Sequence, residues 1–193
     1  MERVQAIIKK IEPHDSVKRY TDLGVDCFSG DAKVLSPHEV EVNGNILTTK
    51  NIIIATGARP TIPSISGLEK VNFLTSDNLW NIQELPKKLL IVGGGPIGSE
   101  FAQCFARLGS DVTQVEMSPH ILSREDDEIS LALRQQFGRE GIDIHTGTTC
   151  KTIVTENGKQ VMVSEKRGQE VRIEFDQILI AVGRTANSKG FGL

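Results

Sequence analysis

The sequence predicts an α/β fold in which a parallel sheet is followed by a three-stranded antiparallel meander. Residues 89–92 form a short apolar run, which is typical of a strand buried on both faces of a parallel sheet. The run leads into a glycine-rich loop, a segment of helical periodicity and a second apolar run, which is the order of a crossover between parallel strands. Further along, short strand-like segments are separated by turn-forming dipeptides, a pattern that indicates antiparallel hairpins.

The glycine-rich loop satisfies the pattern G-x-G-x-x-G and predicts a dinucleotide-binding turn. Gly93 permits the tight turn from strand to helix, Gly95 lets a pyrophosphate approach the backbone, and Gly98 lets the helix pack closely on the strand. Pro96 suits the first helical turn, where its missing N–H would have no intrahelical partner. The amides and the positive end of the helix then face the phosphates. The candidate binding residues in this loop are Gly93, Gly94, Gly95, Pro96, Ile97 and Gly98.

The helix after the loop is predicted from apolar residues at helical spacing, namely Ile97, Phe101, Cys104, Phe105 and Leu108. Gly109 ends this helix, and residues 112–115 form the next strand, which closes at Glu116. An acidic side chain at this place accepts hydrogen bonds from a ribose diol. Together these elements predict a Rossmann-like dinucleotide-binding unit. The alternatives are a glycine-rich turn without a ligand and, for Glu116, a solvated charge at a strand end.

Glu116 also favours NAD(H) over NADP(H). A 2′-phosphate would lie against the carboxylate, and residues 117–120 supply no arginine of the kind that NADP sites use. The nearest following cation is Arg124, eight residues on.

The N-terminal part predicts a helix and then short strands. Apolar spacing predicts a helix within residues 1–24 that Pro13 interrupts. Short strands are predicted at residues 25–28, 33–35, 39–42 and 46–48, and Asn43-Gly44 is a strong hairpin-turn signal. Three consecutive isoleucines at residues 52–54 predict a buried strand. The segment 61–85 has little periodicity and predicts a connection between domains.

Within and after that connection, further elements follow from periodicity and turn signals. Residues 76–82 predict a short helix capped by Thr75 or Ser76. Residues 125–139 predict an amphipathic helix, with Ser123 and Asp126 as a capping box. The remaining predicted strands are residues 142–144, 152–154, 160–164, 171–175 and 177–181, with turns at Asn157-Gly158 and Arg167-Gly168.

Composition excludes several classes of function. A formal net charge of −3 and the lack of a basic patch argue against nucleic-acid binding. No apolar run approaches the roughly 20 residues of a membrane helix, so no membrane contact is expected. The three cysteines are far apart, which indicates a reducing, cytoplasmic location, and the four histidines show no metal-ligand spacing. No catalytic residue and no metal site are predicted.

Four sequence segments resemble the pyridine nucleotide-disulfide oxidoreductase family, and in particular its mercuric reductase-like and dihydrolipoyl dehydrogenase-like members. They are Ala55-Thr56-Gly57-Ala58-Arg59-Pro60, residues 93–100, Val115-Glu116 and Ala181-Val182-Gly183-Arg184. Members of the family are longer flavoproteins that open with their own G-x-G-x-x-G for FAD and a C-x4-C redox disulfide. They later carry a G-D motif for the flavin and then a dimerisation domain that supplies a catalytic His-Glu pair. None of these features is found in this sequence.

The resemblance therefore implies a fragment centred on the NAD-binding domain. Residues 1–60 would be part of a first FAD-binding lobe, with a helix and strands, and 61–85 an interdomain connection. Residues 86–184 would be the NAD-binding domain and 185–193 the start of the return to the FAD domain.

The resemblance also implies roles for single residues. Gly183 would border the nicotinamide, and Cys150 would cover the adenine or simply be a buried strand cysteine. Glu100 would border the nicotinamide in relatives, although a Glu near a helix N-terminus is also favourable in itself. Remnant FAD contacts would come from Ala32, Thr56, Gly57 and Ala58.

The expected function is that of an NADH-binding portion of an FAD-dependent oxidoreductase. NADH would be docked for hydride transfer to FAD and on to a disulfide or similar acceptor, with the fragment inactive by itself and the rest of the flavoprotein as its partner. A stand-alone nucleotide-binding or sensing module is one alternative, and an NADH oxidase or transhydrogenase of the same fold is another. Without neighbouring strands, residues 52–54 would also favour pairing with a second copy, hence a possible homodimer.

Overall fold

The computed structural model describes residues 1–166 and 168–193, which divide into two compact units. Met1–Arg59 and Ala186–Leu193 form the first unit, and Pro60–Thr185 forms the second. The predicted fold class is confirmed, because a five-stranded parallel sheet and antiparallel sheets occur together with α-helices.

The first unit begins with two helices, α1 (Glu2–Ile11) and α2 (Val17–Asp22). A 3-10 turn that contains Pro13 separates them, as the sequence predicts. The side chain of Ser16 caps α2 by accepting a hydrogen bond from the Arg19 amide. Neither helix contributes a buried residue.

A small antiparallel sheet follows in the first unit. Its strands are β1 (Ala32–Ser36), β2 (Glu39–Val42) and β3 (Asn45–Thr48), in that order. The predicted hairpin turn is confirmed, since Asn43 and Gly44 have φ angles of 50° and 82°. Positive φ at both central residues matches the right-handed twist of the flanking strands.

Two predicted strands of the first unit are wrong, at residues 25–28 and 52–54, which are irregular. Ile53 is 91% exposed and Ile54 is 53% exposed. Apolar β-formers become a strand only when a neighbouring backbone completes the ladder, and no described residue pairs with these segments. The pairing of residues 52–54 with a second copy remains a prediction.

The chain passes between the units through β4 (Ala58–Pro60) and β13 (Arg184–Ala186). The strands of the parallel sheet in the second unit are β5 (Phe73–Leu74), β6 (Lys88–Val92), β7 (Asp111–Glu116), β8 (Asp143–Thr146) and β12 (Gln177–Ile180). They lie in the order β5-β12-β6-β7-β8. Helix α3 (Pro96–Leu108) connects β6 to β7, and α4 (Asp127–Arg139) connects β7 to β8.

The meander is confirmed as an antiparallel sheet, although its strands are longer than predicted. They are β9 (Thr149–Glu156), β10 (Lys159–Lys166) and β11 (Gln169–Phe175). The Asn157-Gly158 turn is confirmed by φ angles of 50° and 78°. The other predicted turn includes Arg167, which lies outside the described residues.

Two apolar clusters fill the spaces on the two faces of the parallel sheet. The cluster facing the meander includes Leu90, Val92, Val115, Met162 and Ile178. The cluster facing the helices includes Leu89, Ile91, Ala102, Phe105, Val112 and Phe137. Residues 89–92 are therefore buried from both sides, as predicted for a central parallel strand.

The helices differ from the sequence predictions in their details. Residues 76–82 form only a 3-10 turn at Leu79–Asn81, and Asp126 makes no capping hydrogen bond to α4. The buried face of α3 is formed by Gly98, Ser99, Ala102 and Phe105, whereas Cys104 and Leu108 are exposed. A close helix–strand approach at Gly98 turns the small residues toward the sheet, and spacing of apolar residues alone does not reveal this rotation.

Residues 61–85, expected to connect two domains, lie within the second unit. They supply β5 to the sheet edge and bury Leu68 and Leu79 in the core. In the part of the chain that the structure describes, no helix is long and apolar enough to span a membrane. The same residues contain no cluster of His, Cys, Asp and Glu suited to a metal ion.

Candidate dinucleotide-binding site

The glycine loop follows β6 at the carboxyl edge of the parallel sheet. Gly93 has a φ of 121°, and a Cβ there would lie 2.3 Å from the Ala181 carbonyl oxygen. A Cβ on Gly98 would lie 2.3 Å from the Gly93 carbonyl oxygen, so the first turn of α3 packs directly on the loop. A Cβ on Gly95, in contrast, would meet no atom within 4 Å. The loop is therefore closed toward the protein and open on its outer side, at Gly95.

The first turn of α3 has backbone amides that lack intrahelical acceptors. Gly95 is the N-cap and offers no side-chain hydrogen bond, and Pro96 occupies the first helical position. The amides of Ile97 and Gly98 precede that of Ser99, which is the first to donate within the helix, to the Gly95 carbonyl at 3.0 Å. A diphosphate fits this arrangement, because its oxygens accept from such amides and its charge suits the positive end of the helix.

Glu116 lies at the end of β7 with its carboxylate against the glycine loop. One carboxylate oxygen, Oε2, accepts a hydrogen bond from the Gly94 amide at 2.5 Å. The other, Oε1, accepts from the Ser118 amide at 2.7 Å. A Cβ on Gly94 would come within 2.9 Å of the Glu116 side chain, so only glycine permits this approach. The carboxylate is thereby held in the crevice between the loop and the strand that follows.

The segment after β7 folds back over the glycine loop. The Leu122 amide donates to the Gly94 carbonyl at 2.7 Å, and Leu122 adopts a φ of 50°, which is uncommon for a residue other than glycine. Ile121 is fully buried, and the Ser130 hydroxyl donates to its carbonyl at 2.7 Å. This anchoring brings Arg124 to the wall of the cleft. In the sequence Arg124 is only a cation eight residues after Glu116. Its position at the cleft depends on a backbone hydrogen bond between separate loops, which the sequence does not reveal.

The cleft above the loop has a volume of about 990 Å³ and is large enough for a dinucleotide. Its walls include Gly93, Gly95, Glu116, Cys150 and Gly183. The structure thus brings one or more of the residues predicted for the pyrophosphate, the ribose, the adenine and the nicotinamide into one cleft, whereas Gly94, Gly98 and Glu100 are not among its described wall residues.

Two further positions shape the cleft. Burial raises the pKa of the Cys150 thiol to about 11, so this side chain is a neutral, apolar part of the wall. Gly183 has a φ of 128°, and its carbonyl accepts a hydrogen bond from the Thr61 amide at 2.9 Å. The neighbouring Arg184 also lines the cleft and donates to the Ser76 hydroxyl at 3.1 Å.

The remaining predicted residues lie elsewhere. Glu100 is exposed on α3 and is not part of the described cleft wall. Ala32, Thr56, Gly57 and Ala58 belong to the first unit. There the Thr56 hydroxyl donates to the Asn187 carbonyl at 2.5 Å, and the Asn187 amide donates to the Gly57 carbonyl at 3.0 Å. These bonds tie the C-terminal segment to residues 56–57 within that unit.

A comparison with protein families gives a match over residues 2–192 to "Pyridine nucleotide-disulphide oxidoreductase". The chain belongs to this family. The expectation from its four characteristic segments is thus confirmed at the level of the family.

Individual members of the family show how much of a whole protein this chain covers. It is 33% identical over its full length to a mercuric reductase of Staphylococcus aureus and spans 35% of that protein. It is 44% identical over 171 residues to a dihydrolipoyl dehydrogenase of Acholeplasma laidlawii. This match covers 86% of the present chain and 50% of the relative. The chain therefore spans about a third to a half of the length of these relatives.

The fold also matches a solved structure of the family. The HOCl-induced flavoprotein disulfide reductase RclA from Escherichia coli superposes with a TM-score of 0.79 at 29% identity. The match covers 96% of this chain and 42% of the RclA chain. The arrangement of strands and helices described above is thus found within a larger flavoprotein.

Proposed function

We propose that this chain is the NADH-docking portion of an FAD-dependent oxidoreductase that reduces a disulfide or a similar acceptor. The observation that carries the proposal is the glycine loop, closed against α3 and Ala181 but open at Gly95, with the Glu116 carboxylate held beside it. The bound nicotinamide would supply a hydride for transfer to FAD. This chain would bind and orient the dinucleotide, and by itself it would be inactive.

The loop and the first turn of α3 would hold the diphosphate. The open side of Gly95 lets phosphate oxygens reach the backbone, and the Ile97 and Gly98 amides are oriented by the helix. Arg124, which also lines the cleft, would add a positive charge there. Glu116 would accept hydrogen bonds from the adenosine ribose, and Cys150 would contact the adenine with its neutral side chain.

Glu116 supports a preference for NADH over NADPH. Its two bonds to the Gly94 and Ser118 amides keep the carboxylate where a ribose 2′ group would lie. A 2′-phosphate at that place would experience like-charge repulsion of about 1 kcal/mol per unit charge at about 4 Å even in bulk water. Arg124, which also lines the cleft, would offset this repulsion only if its side chain reached the 2′ position.

Titration of the 193-residue chain with NADH and NADPH tests the proposal. We expect NADH to bind with a Kd below about 1 mM and more tightly than NADPH. Glu128→Gln is the control, since Glu128 is exposed on α4 and is not among the described residues of the cleft wall, and it should leave NADH affinity unchanged. No NADH binding at millimolar concentration, or tighter binding of NADPH, would contradict the proposal.

A further inference from the structure

A glutamine is buried in the layer between the parallel sheet and α3. Gln114 lies on β7 in register with Ile91 of β6 and Ile144 of β8, and its side chain is fully buried. Its oxygen, Oε1, is buried and has no hydrogen-bond partner. A buried polar atom without a partner lowers stability, so Oε1 by itself disfavours a glutamine at this position.

The amide nitrogen of the same side chain contacts the glycine loop. Nε2 donates to the Gly93 carbonyl at 3.0 Å and to the Ser99 hydroxyl at 3.3 Å. The Gly93 carbonyl belongs to the peptide group whose N–H is that of Gly94. This N–H donates to Oε2 of Glu116 at 2.5 Å. One peptide of the loop is therefore held at its carbonyl end by Gln114 and at its amide end by Glu116.

Gln114 and Glu116 are two residues apart on one strand, so their side chains leave β7 on the same side. The peptide between them precedes Gly95, at the open side of the loop. A rotation of this peptide would turn the Gly94 N–H away from Glu116 and move the Gly95 backbone. If ribose hydroxyls competed for the Glu116 oxygens, the bond from Gln114 would still hold the peptide.

We propose that Gln114 is a positioning residue that fixes the Gly93–Gly94 peptide for dinucleotide binding. The inference rests on the proposed function, because the ligand for which the loop is positioned is NADH. Gln114 acts through the loop backbone and does not touch the ligand.

Gln114→Met separates this role from a structural one. Methionine has a similar volume but no N–H, so the variant removes one unpaired buried acceptor, Oε1, and creates another, the Gly93 carbonyl. We expect the Tm to change by no more than about 3 °C. The Kd for NADH and for ADP-ribose should rise by about fivefold to tenfold, the equivalent of one hydrogen bond. Hydrogen exchange at the Gly94 and Gly95 amides should accelerate, while the β9–β11 sheet is unaffected.

Two variants complete the test. Gln135→Met makes the same replacement at an exposed position of α4 and should change none of these quantities. Gln114→Leu also lacks the N–H and replaces the methionine variant if that variant does not fold. Unchanged ligand affinity with unchanged exchange in the loop would overturn the inference, and so would a loss of affinity that is matched by faster exchange throughout the sheet. If the unmodified chain binds neither ligand, the proposed function fails, and loop exchange in Gln114→Met still decides whether Gln114 holds the peptide.

Discussion

Replacing Glu116 by glutamine should reduce the preference for NADH over NADPH. The carboxylate accepts from two backbone donors, the Gly94 amide at 2.5 Å and the Ser118 amide at 2.7 Å. A glutamine side chain has one acceptor oxygen, so its NH2 group would face one of these donors. When a ribose diol is bound, the glutamine side chain can accept hydrogen bonds from its hydroxyls only at this one oxygen. The substitution removes the negative charge and at least one charge-assisted hydrogen bond.

The magnitude follows from these two losses. A hydrogen bond to a charged group contributes about 1.5–3 kcal/mol, so the Kd for NADH should rise by about 10-fold to 150-fold. The substitution also removes the repulsion between the Glu116 carboxylate and a 2′-phosphate. With about two negative charges on the phosphate at about 4 Å, this repulsion amounts to about 2 kcal/mol even with the dielectric constant of water. NADPH affinity should therefore fall less than NADH affinity or even increase. The ratio of the two Kd values should move toward NADPH by about tenfold or more.

Calorimetric titration of both dinucleotides into the parent and Glu116→Gln chains gives the ratio directly. Glu125→Gln is a matched control, because Glu125 also lines the cleft and the substitution changes the charge by the same amount. An unchanged NADPH-to-NADH ratio in Glu116→Gln would refute the reasoning. An equal shift in Glu125→Gln would show that the net charge of the cleft, and not the position of Glu116, sets the preference.

Three other substitutions and one labelling experiment test single features of the fold and the cleft. Gly98→Ala places a Cβ 2.3 Å from a backbone oxygen and should lower the free energy of unfolding by about 1–3 kcal/mol, as measured by thermal denaturation. Gly95→Ala places its Cβ in open space, so it should keep the stability of the parent chain but weaken NADH binding in a titration. Hydrogen bonds from Arg107 and neighbouring glutamines lower the pKa of Glu140 to about 2. The unfolded chain therefore takes up this proton first, and stability declines as the pH falls from about 5 to about 2; Glu140→Gln should flatten the Tm profile in that range. Burial raises the pKa of Cys150 to about 11, so at about pH 8 it should react with a thiol reagent more slowly than the exposed Cys104, and NADH should slow it further.

Each of these expectations has an opposite outcome. Equal stability of the Gly98→Ala and parent chains would mean that the first turn of α3 moves away at little cost. A Tm profile of Glu140→Gln parallel to that of the parent would show that the side-chain cluster around Glu140 contributes nothing to acid sensitivity. Labelling of Cys150 at the rate of Cys104 would place the thiol in open solvent.

Much of the second unit could be predicted because its signals are local. A run of apolar residues, glycines with positive φ and a helix start with Pro96 are properties of neighbouring residues in the chain. The Asn43-Gly44 turn belongs to the same kind of signal, and it was predicted correctly. Predictions failed where a strand depends on a partner: the isoleucines at residues 52–54 have high β-propensity, yet no described strand pairs with them.

The sequence by itself determined the family, the parallel sheet and meander, and the glycine loop followed by an acid at the end of the next strand. These features are encoded by residue types at short spacing, which restrict the backbone before any packing occurs. Only the tertiary structure decided that Gln114 lies beneath the loop, that Glu116 bonds to Gly94, and that Arg124 reaches the cleft. Such contacts join residues that are distant in sequence. They depend on how β7 and the segment after it pack against the loop, and local residue patterns do not reveal this packing.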